Sequence, residues 1–108
     1  MADYLQVSTV AGDRDTAAKL ASAAVAAKLA AGAQVHGPVA SFFWHLGQSG
    51  EGEEWQVTLK TRADRYPELE ALLLREHTWD NPEVTAIALV HGTAAYLAWI
   101  DATVGGAR

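Results

Sequence analysis

The stretch AQVHGPVASFFWHL, Ala33 to Leu46, with the GQSGEG and EEWQVTLKT that follow it through Thr61, decides the fold. Val35, Val39, Phe42, Phe43 and Trp44 are β-branched or aromatic residues that suit a pleated, half-buried surface. The run covers fourteen residues, where strands usually have about five or six. Gly37-Pro38 lies inside it, and because proline donates no ladder hydrogen bond the pair marks a bulge, a bend or an edge. Gly47 to Gly52, with three glycines, reads as the turn. Glu53 to Thr61 returns as a second strand, with Trp55, Val57, Leu59 and Thr61 on one face and Gln56, Thr58 and Lys60 on the other. A hairpin this long outruns the helices one subunit can lay over it. Its outer half needs a partner, because uncovered strand edges present unpaired N–H and C=O groups. A homo-oligomer is therefore expected.

Working outward, Tyr4 to Val10 alternates as a strand and Gly12 breaks it. Asp13 is a candidate N-cap for an alanine-rich helix over Asp15 to Ala31, with Leu20, Val25 and Leu29 as anchors and Gly32 as its left-handed stop. After the hairpin, Asp64 is expected to cap a helix over Arg65 to His77, with Pro67 in its first turn and Leu69, Leu72 and Leu73 as the core stripe. Thr78 to Glu83 is a turn, and Val84 to His91 an apolar strand. Thr93 caps a last helix, Ala94 to Val104, whose stripe is Leu97, Ile100 and Val104, and Gly105-Gly106 ends it. The order β-α-β-β-α-β plus a terminal helix predicts an α+β, ferredoxin-like domain over residues 1–108.

The formal charge of −5 argues against nucleic acid or an anionic membrane as partner, since both need a basic patch. No cysteine is present, which removes disulfides and thiolate metal sites and favours a reducing, cytoplasmic setting. The start, Met-Ala-Asp-Tyr, lacks the pattern of a signal peptide. The alanine-rich stretch is too short for a membrane span and is interrupted by Lys19, Ser22 and Lys28.

Nucleotide-loop, zinc-protease and nucleophile-elbow motifs are absent, and no nucleophile–base pair can be placed, so an enzyme is not expected. His77 and Glu83 flank a short proline-containing turn that could bring imidazole and carboxylate together for a borderline divalent ion. The plainer reading has His77 at the helix C-terminus, where partial positive charge is favourable, and Glu83 paired with a neighbour. His36, His45 and His91 read as surface or hydrogen-bonded histidines, and Trp44, Trp55 and Trp99 as core or interface residues.

Several motifs together resemble one family. They are Lys28-Leu29-Ala30-Ala31, Gly37-Pro38-Val39-x-Ser41-x-Phe43-Trp44, Glu54 through Leu59-Lys60-Thr61, His77-x-x-x-x-Pro82-Glu83 and His91-Gly92-x-x-x-Tyr96-Leu97-x-Trp99-Ile100. Their order and spacing resemble the CutA family over Tyr4 to Thr103. The resemblance implies a homotrimer with the hairpin strands pairing across subunits, a role in divalent-cation tolerance, and binding of copper or zinc that is not required for folding. It carries His77 and Glu83 over as metal ligands, with Ser8 where some members have a cysteine; a serine hydroxyl is a poor ligand for soft Cu(I). Similarity of the family's trimer to PII signalling proteins implies an alternative, a sensor or scaffold trimer. Its inter-subunit clefts would be lined by Trp44, Glu54, Lys60, Tyr96 and Trp99.

Overall fold

The computed structural model describes residues 3–105, so the expected stop at Gly106 lies outside the described residues. The chain runs β1 (Tyr4–Ala11), α1 (Arg14–Ala26), β2 (Gly32–His45), β3 (Gln48–Arg62), a 3-10 turn (Ala63–Arg65), α2 (Tyr66–Glu76), β4 (Val84–Ala88) and α3 (Ala94–Val104). The strands form one antiparallel sheet in the order β2-β3-β1-β4. This is an α+β fold.

Alternation divides the sheet into two faces. Val7, Thr9 and Ala11 of β1 and Val57, Leu59 and Thr61 of β3 are buried beneath Ala17, Leu20 and Ala24 of α1 and Leu69, Leu72 and Leu73 of α2. The opposite face carries α3 at one end, where Ile100 and Val104 pack with Ala31, Tyr4 and Leu97. The Tyr4 hydroxyl donates to Asp101 (2.8 Å), which raises its pKa, and Arg62 binds both Asp101 and Asp64. These contacts fix α3 across the sheet.

Helix ends depart from expectation. Asp13 caps α1 by accepting from the Thr16 amide (2.8 Å) and hydroxyl (3.1 Å), bonds that hold its carboxyl below the ordinary range. The helix stops at Ala26 and not Ala31: Lys28, with φ 59°, takes the left-handed position expected of Gly32. The Leu29 and Lys28 amides then reach back to the Ala24 and Val25 carbonyls, the Schellman arrangement. This turn buries Leu29, leaves Val25 exposed and frees Gly32 to start β2. Asp64 sits in the 3-10 turn bound to Arg62, and the N-cap position of α2 is Arg65.

The hairpin is longer than its glycines imply. Its turn is only Leu46-Gly47, with φ of 53° and 79°, the left-handed pair of a type I′ turn. Ser49, Gly50 and Gly52 are in β3, paired with Trp44, Phe43 and Ser41. The register shifts between His36 and Val39, so Gly37-Pro38, joined by a cis peptide bond, is the expected bulge on an edge strand. A Cβ at Gly37 would lie 2.6 Å from the Trp55 ring, so this approach requires glycine. β4 ends at Ala88 and not His91 because β1 runs out: Leu5 opposes Ala88, and one further bond joins Leu89 to the Tyr4 carbonyl. The hairpin gives an extent of 44 Å and a radius of gyration of 14.5 Å, against about 13 Å for a compact chain of this length.

Two buried threonines make opposite predictions. The Thr61 hydroxyl donates to the Leu29 carbonyl (2.7 Å), whereas that of Thr9 has no partner among the described residues. Thr61→Val should cost roughly 1–3 kcal/mol and Thr9→Val should stabilise by about 1 kcal/mol, read as opposite shifts in urea midpoint. At the turn, Leu46 is 89% exposed and adopts a conformation unfavourable for leucine. Leu46→Asn should raise stability by about 1 kcal/mol in the same measurement.

Candidate functional site

The three expected metal-ligating positions lie around the β1–β4 end of the sheet, but they do not make a closed centre. His77 follows α2, and its backbone N–H caps the helix by donating to the Leu73 carbonyl. Both ring nitrogens are engaged. Nδ1 accepts from the Trp79 amide (3.0 Å), so Nε2 carries the proton and donates to the Val10 carbonyl (2.7 Å). Val10 lies one residue beyond the last β1–β4 pair, Thr9 with Val84, so the imidazole extends the sheet where β4 stops. The Trp79 ring lies 5.2 Å from it.

Glu83 is exposed and accepts from the Thr85 hydroxyl (2.8 Å). Ser8 opposes Thr85 on one side and Thr58 on the other, which puts a row of three hydroxyls on the open face. Thr58 and Thr85 are polar neighbours that sequence reasoning missed; only the strand register reveals them. Among the described residues no three His, Cys, Asp or Glu side chains converge to hold a metal ion. The donor set offers a carboxylate, hydroxyls and an imidazole already committed to the backbone. It suits an ion held loosely by oxygen and nitrogen, and lacks the sulfur a soft ion prefers.

Within one subunit, the five residues expected to line inter-subunit clefts belong to two recesses. Trp44 and Glu54 line a pocket of about 730 Å³ with Phe43, His45 and the α2–β4 turn residues Thr78, Trp79, Asp80 and Asn81. Lys60, Tyr96 and Trp99 line another, of about 230 Å³, with Gly32, Gln34 and Thr58. Phe42 and Trp44 project from the hairpin 74% and 77% exposed. Trp79 was read only as part of a turn, and Gln34 not at all; Gln34 faces the second recess because β2 starts at Gly32.

Comparison with known proteins places this geometry. The family model for the CutA1 divalent ion tolerance protein matches residues 5–103. The divalent-cation tolerance protein CutA of Archaeoglobus fulgidus is 31% identical over 90 residues, covering 83% of this chain and 87% of that protein. Its Escherichia coli counterpart is 32% identical over 97 residues, covering 90% and 87%. A solved structure from Archaeoglobus fulgidus, described as a periplasmic divalent cation tolerance protein CutA, superposes with a TM-score of 0.90 at 29% identity over 94% of this chain and 98% of that one. The CutA1 structure from Shewanella sp. SIB1 gives 0.91 at 30% identity, over 94% and 95%. Matched along nearly its whole length in sequence and in backbone, the chain belongs to the CutA1 family of divalent ion tolerance proteins.

Proposed function

We propose that this chain works in divalent-cation tolerance as a homotrimer of ferredoxin-like subunits, binding ions rather than catalysing a reaction. One observation carries the assembly. β3 extends from Gln48, but β1 pairs with it only from Trp55 to Arg62, so, among the described residues, residues 48–54 have β2 on one side and no paired strand on the other. The backbone groups on that open side, with the exposed Phe42 and Trp44 beside them, are what a neighbouring strand would satisfy. Head-to-tail contact between copies closes into a ring when the rotation relating them permits, and a trimer is the ring proposed. The chain has no cysteine and so no disulfide that an oxidising compartment would have to form, and the cytoplasm is the setting proposed.

For the ion, the reading is a weak site at the β1–β4 end, with the Glu83 carboxylate as the charged ligand. His77 contributes when Nδ1 exchanges the Trp79 amide for the metal, and the Ser8 hydroxyl lies on the sheet face that carries Thr85, the hydrogen-bond partner of Glu83. Copper as Cu(II), or zinc, fits such donors; Cu(I) does not.

In multi-angle light scattering at micromolar concentration the protein should run at three chain masses, and a stable monomer would overturn the assembly. Calorimetric titration of metal-free protein with Cu(II) and Zn(II) should show binding that weakens at least tenfold in His77→Ala and in Glu83→Ala. Isotherms indistinguishable from the wild type would remove this site while leaving the trimer untouched.

A further inference from the structure

We propose that the α2–β4 turn, Thr78 to Pro82, is an ion-operated latch: His77 Nδ1 holds either the Trp79 amide or a divalent ion, so ion occupancy releases the turn from the body of the subunit. The inference rests on the metal reading above and adds a conformational consequence to it.

The two ring nitrogens of His77 have different duties. Nε2 donates to the Val10 carbonyl (2.7 Å), and the His77 backbone N–H donates to the Leu73 carbonyl (3.0 Å), so the residue is anchored to both β1 and α2. A carbonyl on one ring nitrogen fixes the tautomer and orients the other nitrogen as the metal-binding one. That nitrogen, Nδ1, has a single lone pair, and the Trp79 amide occupies it at 3.0 Å. Ion and amide therefore exclude one another.

The turn is the part that gives way. Among the described residues, the bond from Trp79 to His77 is the only hydrogen bond that Thr78 to Pro82 make within their own chain. Packing supplies the rest of the hold on Trp79. Its ring lies 5.2 Å from the imidazole, and a Cβ at Gly12 would sit 3.5 Å from it, at ordinary contact. The flanking elements are secured much better. α2 buries Leu69, Leu72 and Leu73, and β4 pairs with β1 from Val84 onward. A short segment pinned by one bond between two fixed elements has low local stability, which suits it to move. Across one recess the turn faces Phe43, Trp44, His45 and Glu54, so its release alters the surface beside the outer hairpin.

The test is solvent exchange of backbone amides, followed by NMR on the ¹⁵N-labelled, metal-free protein with Zn(II) as the diamagnetic ion. Saturating Zn(II) should raise the exchange rate of the Trp79 amide at least tenfold. The Ala31 amide, bonded to the Lys60 carbonyl (2.8 Å), should keep its rate. In long-range ¹H–¹⁵N correlation the His77 Nδ1 resonance should move with Zn(II), and Nε2 should stay protonated. Calorimetry on the same samples reads binding separately. Zn(II) binding that depends on His77 but leaves the Trp79 amide as protected as before would overturn the latch and leave the metal reading standing. So would a shift at Nε2 in place of Nδ1. No Zn(II) binding, or binding as tight in His77→Ala, would remove the metal reading and the latch together. A second pair of variants tests the competition directly. Trp79→Pro, which lacks the competing N–H, should bind Zn(II) about threefold more tightly than Trp79→Ala, which loses only the ring. Equal affinities would overturn the latch, and exchange in the wild type decides the matter if Trp79→Pro does not fold.

Discussion

The mismatch between a long strand and its short neighbour governs this molecule. β3 runs from Gln48 to Arg62 and β2 follows it from end to end, but β1 matches only its inner half. The inner half has neighbours on both sides and a helical layer over Val57, Leu59 and Thr61, so it forms the core. The outer half is a two-stranded ribbon, and such a ribbon alone is marginally stable in water. The left-handed Leu46-Gly47 turn and continuous pairing from Val39 to His45 keep it straight; they do not supply a second layer. The inner hairpin belongs to the packed sheet, and the outer hairpin stands beyond it.

Much of this was legible in the sequence, for identifiable reasons. Alternation through Trp55, Val57, Leu59 and Thr61 named the buried face because a pleated strand leaves no other choice. Leu69, Leu72 and Leu73 did the same for α2 at helical spacing, and all three are buried. What failed was punctuation by glycine. Gly32 looked like a helix stop, yet Lys28 took the left-handed position because stopping earlier buries Leu29 and sends the Ala31 amide to the Lys60 carbonyl. Gly50 and Gly52 looked like a turn but are in β3, where the Phe43 ring lies against Gly50. In both places tertiary packing outweighed a preference worth about 1 kcal/mol per residue.

The candidate sites were legible in part only. His77 at the end of α2 could be read from spacing, but not that both its ring nitrogens are taken by Val10 and Trp79, since that depends on where β4 stops against β1. Trp44, Glu54, Lys60, Tyr96 and Trp99 were read as lining clefts between subunits, and a single chain shows only how they are spaced within one subunit. Glu54 and Lys60 are both on β3, and at about 3.4 Å of rise per residue they lie about 20 Å apart. Within one subunit they must serve different recesses, as they do.

That separation bears on how assembly and binding divide the chain. α3 is tied to the inner sheet through Tyr4, Asp101 and Arg62, well away from the hairpin tip, and Tyr96 and Trp99 carry it over Lys60. The pocket at Trp44 is built instead between the outer ribbon and the α2–β4 turn. The two recesses share no lining side chain. The longest strand thus divides its length, one end in the two-stranded ribbon and the other in the packed sheet beneath α3.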